Sequence, residues 1–248
     1  MPTLNVFYRV CPYSNGKSPI FTDDKPGLVR FCLESFVEAF QASSLRITFI
    51  LDSCDASYRT WIERHVPFQK EIVHFDGLGS EGSFFKQVEL ATRLEPDELV
   101  YLAEDDYYYV AGAGEKLVAA IARFDFVTPY DPLDHYSGLQ AAEPCHMALC
   151  AGHHWRTHGS TCLTFGTRAE LIVKNQRLIY QHGVSDSLMW PHLLRKRRWG
   201  RRGPRLYGPI PSLATHLVSG LLAPGINWED VWKQKLGRCA PSVVHGGI

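Results

Sequence analysis

The chain alternates short apolar segments with segments in which apolar residues recur every three or four positions. The apolar segments predict β-strands and the periodic ones predict helices. The first strands are expected at 5–10, 47–51, 71–75 and 99–103, and the helices between them at 28–41, 56–65 and 82–94. This order is typical of a mostly parallel central sheet flanked by helices on both faces. We therefore predict an α/β fold.

The rest of the chain is less regular. A helix is expected at 114–123, a strand at 126–130, a strand at 161–165 and a helix at 168–179. The polar, His-rich segment 131–159 predicts no strand, and beyond residue 195 only short elements are expected, at 212–222 and 228–236. The second half of the chain therefore carries a weaker prediction than the first.

Composition limits the class of protein. A chain of 248 residues with 45% hydrophobic and 21% charged residues is expected to form one globular domain. The formal net charge of +0 argues against general attraction to nucleic acid. No charged leader precedes an apolar core and no apolar run reaches the ~18 residues of a membrane span, so we expect a cytoplasmic protein. The seven cysteines are scattered, which favours reduced thiols.

Three adjacent carboxylates follow the fourth strand, at Glu104, Asp105 and Asp106. Like charges this close raise each other's pKa unless a cation lies between them. Asp52 ends the second strand, and ligands of parallel sheets bind beyond the carboxyl ends of the strands. The sequence therefore predicts a metal and ligand site at this edge.

Together, Asp52, the helix that follows Gly82 and the triplet Glu104-Asp105-Asp106 resemble the nucleotide-sugar-dependent glycosyltransferases of the GT-A fold, especially the family-2-like group. The resemblance covers about residues 1–220. It implies a single catalytic domain at 1–220, with a Rossmann-like nucleotide-sugar-binding half at 1–110 and an acceptor-binding half at 111–220. Residues 221–248 would form a C-terminal extension.

The resemblance implies contacts with the donor nucleotide. Asp52 would contact the base, and Tyr8 and Arg9 would lie beside the base or ribose. Lys86 would point toward the donor from the helix after Gly82. The alternatives without donor contact are that Asp52 caps a turn and that Arg9 and Lys86 are surface charges.

It also implies a metal site and a catalytic base. Asp106 would ligate Mn²⁺ or Mg²⁺, while Glu104 and Asp105 would approach the ribose or a metal-bound water. His216 would add a metal or diphosphate contact. Asp186 would be the catalytic base, although it also stands where an ordinary helix N-cap would, and His216 could be a core histidine.

The implied activity is that of an inverting, metal-dependent hexosyltransferase of polysaccharide biosynthesis. It would transfer a sugar from a nucleoside-diphosphate sugar, UDP by default, to a hydroxyl of a glycan or lipid-linked glycan. One alternative is a nucleotidyltransferase or phosphohydrolase that uses the same carboxylates. Another is a non-enzymatic module whose basic segment binds membrane or nucleic acid, although we expect no nucleic-acid partner.

Seven basic residues crowd 193–205 and leave three roles open: peripheral contact with anionic lipid at the inner face of the membrane, contact with substrate phosphate, or none. They are Arg195, Lys196, Arg197, Arg198, Arg201, Arg202 and Arg205.

A further cluster of cysteines and histidines between Cys145 and Cys162 includes His158. Its spacings match no common zinc template. We instead expect this stretch to shape the acceptor pocket, together with Trp155 and Tyr136.

Overall fold

The structure is a computed structural model, and it describes residues 2–13, 16–136, 145–194 and 203–239. The strands are β1 (Leu4–Val10), β2 (Leu45–Asp52), β3 (Gln69–Phe75), β4 (Leu99–Ala103), β5 (Tyr107–Tyr109), β6 (Phe126–Val127), β7 (Met147–Cys150), β8 (His153–His158), β9 (Phe165–Arg168), β10 (Leu206–Ile210) and β11 (Ala214–His216). The helices are α1 (Lys25–Phe40), α2 (Ala56–His65), α3 (Gly79–Ala91), α4 (Ala113–Arg123), α5 (Ala169–His182), α6 (Asp186–Leu193) and α7 (Trp228–Cys239).

In the described part of the chain, nine strands form one sheet in the order β3-β2-β1-β4-β9-β6-β10-β8-β7. The pairings from β3 to β4 are parallel, β9 runs against both its neighbours, and β10 is parallel to β6. Seven of the nine strands therefore run the same way, with β9 and β8 reversed. The predicted mostly parallel sheet is confirmed.

Helices cover both faces of this sheet because buried strands carry apolar side chains on both sides. On β1, Val6 and Tyr8 belong to the core cluster that includes α1, α2 and α4. Phe7 points the other way and belongs to the cluster that includes α3, α5 and α6. Alternation along a strand thus sends neighbouring residues to opposite faces.

The strands predicted in the first half of the chain agree with β1 to β4 to within two residues at each end. The strand predicted at 161–165 is wrong, because β9 begins at Phe165. The segment 131–159 contains the antiparallel pair β7 and β8, which was not predicted. β8 contains three histidines and two of the four residues of β7 are exposed, so local hydrophobicity does not mark this pair.

The C-terminal part of the chain joins the same core. Trp228 and Trp232 of α7 are buried in the cluster that contains β1 and α1. The division into halves and an extension at 221–248 stays a prediction. Among the described residues, no helix combines the length and the apolar character needed to cross a membrane. The cysteines whose side chains the structure describes are free thiols, as expected.

Candidate active site

A cavity of about 350 Å³ opens at the carboxyl ends of β1, β2 and β4. Its walls come from these strand ends, from the first turn of α3 and from the segment that follows β11. The polar and charged residues that line it are Arg9, Lys25, Asp52, Ser80, Ser83, Glu104, Asp105, Asp106 and His216. The predicted site edge is therefore a real concavity with an acidic floor and several cations.

Glu104 is paired with Arg9. The Arg9 guanidinium donates to one Glu104 oxygen, and the Thr164 hydroxyl donates to the other at 2.8 Å. Arg9 also donates to the backbone carbonyl of Ser80 at 2.7 Å, which ties β1 to the first turn of α3. Burial lowers the pKa of Arg9, but the charge of Glu104 outweighs it and the pKa is raised.

Asp105 is paired with a different cation. Lys25, at the start of α1, donates to Asp105 Oδ1 at 2.7 Å, and the backbone N–H of Cys11 donates to Oδ2 at 2.9 Å. Burial lowers the pKa of Lys25, yet the carboxylates of Asp105 and Asp106 outweigh it and the pKa is raised. Burial raises the pKa of Asp105, and the charge of Lys25 opposes this shift. The hydrogen bonds of Asp105 connect α1 to the end of β1.

Asp106 pairs with His216. The short antiparallel pair of β5 and β11 places His216 opposite Tyr107, whose ring stacks on the imidazole with centroids 4.9 Å apart. His216 Nε2 lies 3.0 Å from Asp106 Oδ2. Burial disfavours the charged form of both groups. The charge and the hydrogen bond of the partner act against burial, so the pKa of Asp106 is lowered and that of His216 is raised.

The second oxygen of Asp106 has a different environment. Asp106 Oδ1 is buried and has no hydrogen-bond partner among the residues that the structure describes. An unpartnered buried oxygen costs about 1–3 kcal/mol. The Asp106 side chain as a whole lines the cavity and is 24% exposed, so the exposed part of its carboxylate, and not Oδ1, faces the cavity.

Asp52 lines the cavity and also caps α3. Its two oxygens accept from the backbone N–H groups of Leu78 and Gly79 at 2.9 and 2.7 Å. The capping alternative is thus observed, although the cap lies across the loop to α3 and not in the turn after β2. Contact between Asp52 and a nucleotide base stays a prediction.

Two residues predicted beside the donor lie elsewhere. Tyr8 is fully buried on the core face of β1, with its ring 5.4 Å from that of Phe36, because strand alternation sends Arg9 and not Tyr8 to the cavity. Lys86 forms an ion pair with Glu89 and lies 5.2 Å over the ring of Phe75. Neither is among the cavity-lining residues, so this placement does not support donor contact by Tyr8 or Lys86.

Asp186 is the first residue of α6. Its Oδ1 accepts from the backbone N–H of Ser187 at 2.6 Å, as a residue at a helix start often does. Burial raises the pKa of Asp186, and the nearby charge of Glu104 adds to the shift while His216 opposes it. Asp186 is therefore close enough to feel the cavity charges, although it does not line the cavity.

Comparison with known proteins identifies the fold. No protein-family model matches the chain, and no curated protein matches its sequence. A similar solved structure is 4-diphosphocytidyl-2C-methyl-D-erythritol synthase from Anaerococcus prevotii DSM 20548, with 10% identity over 96% of this chain and 99% of that chain, at a TM-score of 0.50. At this identity the likeness shows the fold alone. The chain has a GT-A-like α/β fold.

Two glycosyltransferases are also similar, at lower scores. The galactosyltransferase LgtC, solved with donor and acceptor sugar analogs, has 8% identity over 75% of this chain and 68% of that chain, with a TM-score of 0.46. TarS of S. aureus, residues 1–349, has 12% identity over 71% of this chain and 49% of that chain, with a TM-score of 0.47.

Sequence reasoning missed Lys25 in this GT-A-like chain. The only local signals are Asp24, whose side chain accepts from the N–H of Gly27, and Pro26 in the first turn. These mark a helix start. Only the tertiary fold brings the start of α1 against the end of β4. No residue near Lys25 in sequence predicts its contact with Asp105.

A second polar cluster lies outside the cavity. It contains Asp131, His135 on a 3-10 helix at Leu133–Tyr136, and His158 at the end of β8, and all three are buried. Arg156 donates to Asp131 Oδ1 from two nitrogens, at 2.8 and 3.2 Å, and the Tyr136 hydroxyl donates to Oδ2. Burial lowers the pKa of His158, and His135 and Arg156 lower it further.

The expected acceptor pocket receives mixed support. Trp155 is fully buried in the core and donates to the carbonyl of Cys150, so it cannot face a sugar. Tyr136 is 47% exposed and packs against the Arg156 guanidinium at 4.3 Å. Most of the basic segment 193–205, namely 195–202, lies outside the described residues.

Proposed function

We propose that this chain is a metal-dependent, inverting glycosyltransferase that transfers a sugar from a nucleoside-diphosphate sugar to an acceptor hydroxyl. The observation that carries the proposal is the grouping of Asp106 and His216 with Arg9 and Lys25 around one cavity. A carboxylate and two cations in one concavity suit a ligand with both a divalent ion and a diphosphate.

The donor set fits Mn²⁺ or Mg²⁺. Carboxylate oxygen and imidazole nitrogen are ligands that Mn²⁺ accepts, and Asp106 and His216 would hold the ion. When bound, the ion supplies Lewis-acid stabilisation of negative charge on the departing diphosphate. His216 requires no large movement to serve, because Tyr107 and the β5–β11 pair already hold the imidazole beside Asp106.

The other cavity residues bind and orient the donor. Arg9 and Lys25 place positive charge beside the carboxylates of the cavity. These cations would reduce the repulsion between the carboxylates and an anionic diphosphate. Glu104 and Asp105 keep these cations in place and would approach the ribose. Asp52 at the mouth of the cavity would accept hydrogen bonds from the base, for which uracil is the default.

Asp186 would be the base that accepts the proton of the acceptor hydroxyl. That oxygen attacks the anomeric carbon as the bond from this carbon to the diphosphate oxygen breaks, and one displacement inverts the centre. Burial raises the pKa of Asp186, which makes it a better proton acceptor than an exposed aspartate. The acceptor would be a glycan or a lipid-linked glycan.

The second candidate is nucleotidyl transfer, because the structure with a TM-score of 0.50 is by name a synthase of a diphosphocytidyl compound. Such enzymes usually carry a Gly/Arg/Lys-rich phosphate loop after the first strand, and Cys11-Pro12-Tyr13 is a poor one. Location in the cytoplasm, with the basic segment against the inner face of the membrane, accompanies the first proposal. Binding of membrane or nucleic acid without catalysis remains the third candidate.

A thermal-shift panel tests the proposal. UDP, GDP, CMP and dTDP sugars are offered with and without Mn²⁺, since a ligand that binds only the native state raises its stability, by about 2.7 kcal/mol at 100 times Kd. We expect a Mn²⁺-dependent shift with one donor class that Asp106→Asn abolishes and Asp97→Asn, at an exposed position, retains. A shift with CTP but with no nucleotide sugar would favour nucleotidyl transfer instead.

Turnover separates donor binding from the chemical step. Asp186→Asn is expected to keep the donor-induced shift and to lower kcat by about 10²–10⁴-fold, which is the usual contribution of a general base. Sugar transfer is measured by release of the nucleoside diphosphate in the presence of acceptor. Unchanged kcat would remove Asp186 from the mechanism, while loss of the donor shift would make it a structural residue.

A further inference from the structure

We propose that Asp131, His135 and His158 bind a divalent transition-metal ion, with Zn²⁺ as the preferred ion, at a site separate from the cavity. One ligand atom from each residue lies within 4.8 Å of those of the other two. Two imidazoles and one carboxylate form a set that zinc and related ions bind with a further position open. None of the three residues lines the cavity that the proposed transfer uses.

His158 is the first observation that points to a ligand. Its side chain is fully buried, and neither ring nitrogen has a hydrogen-bond partner among the described residues. Nε2 lies 3.5 Å from Asp131 Oδ1, and the ring of His135 is 4.6 Å away by centroids. Buried polar atoms without partners are rare and costly, and a bound ion would satisfy the nitrogen that faces Asp131.

Gly208 provides the second observation. It lies on β10 opposite Arg156 of β8, and a Cβ at this position would stand 2.5 Å from His158 Nε2 and 2.6 Å from Cε1. Only a residue without a side chain lets β10 pack this closely against the imidazole of His158. The backbone at Gly208 thus fixes the position of the ring edge that carries Nε2, and any side chain here would displace it.

The groups around Asp131 would orient it as a ligand. Arg156 donates to Oδ1 from two nitrogens and Tyr136 donates to Oδ2, so Oδ2 is the oxygen that still has a lone pair for a metal. Arg156 already offsets the charge of Asp131, so binding must come from coordination by the imidazoles and not from net charge. This requirement favours Zn²⁺ over Mg²⁺, which prefers oxygen ligands. The ion would join the 3-10 helix to β8.

Metal content of the full-length chain without a histidine tag tests the proposal. After removal of metals with a chelator, the protein is reloaded with Zn²⁺ or Co²⁺, dialysed and measured by elemental analysis. We expect about one ion per chain, a thermal shift on reloading, and a Co²⁺ spectrum without thiolate charge-transfer bands, as nitrogen and oxygen ligands require.

Variants locate the ion. His158→Gln and Asp131→Asn are expected to lose the bound Zn²⁺, and Gly208→Ala to weaken it by about 10–100-fold, as for a disturbed ligand environment. His154→Gln, on the same strand but exposed, is the matched control and keeps the ion, as does Asp106→Asn in the cavity. Retention by Asp106→Asn also separates this site from the proposed transfer activity.

Two outcomes would overturn the proposal. The first is wild-type protein that takes up no Zn²⁺ and shows no thermal shift, in which case Arg156 and Tyr136 alone satisfy Asp131; this outcome does not depend on any variant folding. The second is uptake that His158→Gln retains in a protein with an unchanged circular-dichroism spectrum, which would place the ion on other residues.

Discussion

A fully buried histidine and a largely buried one each lie beside an aspartate, yet their pKa values move in opposite directions. His216 is 3.0 Å from Asp106, and its pKa is raised. His158 is 3.5 Å from Asp131, and its pKa is lowered. The difference lies in the aspartate, because Asp131 already binds the permanent cation of Arg156 through two hydrogen bonds, whereas His216 is the direct partner of Asp106.

The comparison shows that proximity to a carboxylate does not by itself charge a buried histidine. Burial disfavours the imidazolium at both positions. Only a carboxylate that pairs directly with the imidazole reverses this effect. The cavity therefore holds carboxylates beside several cations, and the interior cluster holds a histidine with a lowered pKa beside a carboxylate that Arg156 already pairs. The first arrangement suits an anionic, metal-bearing ligand and the second suits a softer ion.

The largest expected effect follows from removing Arg156. Arg156→Met leaves Asp131 buried without its cation, which is expected to destabilise the fold by about 3–5 kcal/mol. In the protein that remains folded, the pKa of His158 is expected to rise, because Asp131 no longer pairs with Arg156. Denaturant unfolding measures the free energy, and NMR titration of the imidazole measures the pKa.

A charge-neutral control isolates the ion pair. Arg156→Met combined with Asp131→Asn removes both charges and is expected to recover part of the lost stability, since no bare charge remains. An equal loss in the double variant would mean that packing by the Arg156 side chain, and not its charge, carries the effect.

The pH dependence of stability is expected to reflect the titration of both histidines. The raised pKa of His216 gives stability that is complete below its unfolded value of about 6.5 and is lost as pH rises through the folded value. The lowered pKa of His158 gives stability that is present above about 6.5 and is lost as pH falls below it. Each slope is at most about 1.4 kcal/mol per pH unit.

Variants in metal-free buffer assign the two slopes. Over a titration from about pH 5 to 8.5, His216→Gln is expected to remove the loss of stability on the alkaline side and His158→Gln the loss on the acid side. The measurement is the free energy of unfolding in urea across this range. An alkaline loss that persists in His216→Gln would show that another group titrates there.

The smallest effect is expected at a partly exposed cation. Lys86 pairs with Glu89 on the same helix, so Lys86→Ala is expected to cost less than about 0.5 kcal/mol and to leave donor binding unchanged. Lys25→Met, which unpairs the buried Asp105, is expected to cost more and to weaken donor binding. Thermal unfolding with and without the donor measures the stability and the donor binding of each variant. Equal losses in Lys86→Ala and Lys25→Met would contradict this prediction.

The periodicity of the first half was enough to predict β1 to β4 and the helices between them, because both faces of these strands are apolar and the helices carry one apolar stripe. The triplet Glu104-Asp105-Asp106 and Asp52 could be placed at one edge because parallel strands end together. The hairpin of β7 and β8 could not be predicted, since His153 and His158 are buried by β10 and by residues distant in sequence. The resemblance places both Tyr8 and Arg9 beside the donor, whereas strand alternation sends the Tyr8 side chain to the core.

Local residue patterns thus determined the α/β class, the strand ends and the cluster of acids, because all three depend on residues a few positions apart. Only the tertiary structure decided which cation meets which acid. Arg9 and Glu104 are 95 positions apart, Lys25 and Asp105 are 80 apart, and His216 and Asp106 are 110 apart. The charge state of each buried group depends on such distant partners, because burial makes every ionised group costly until a specific neighbour offsets that cost.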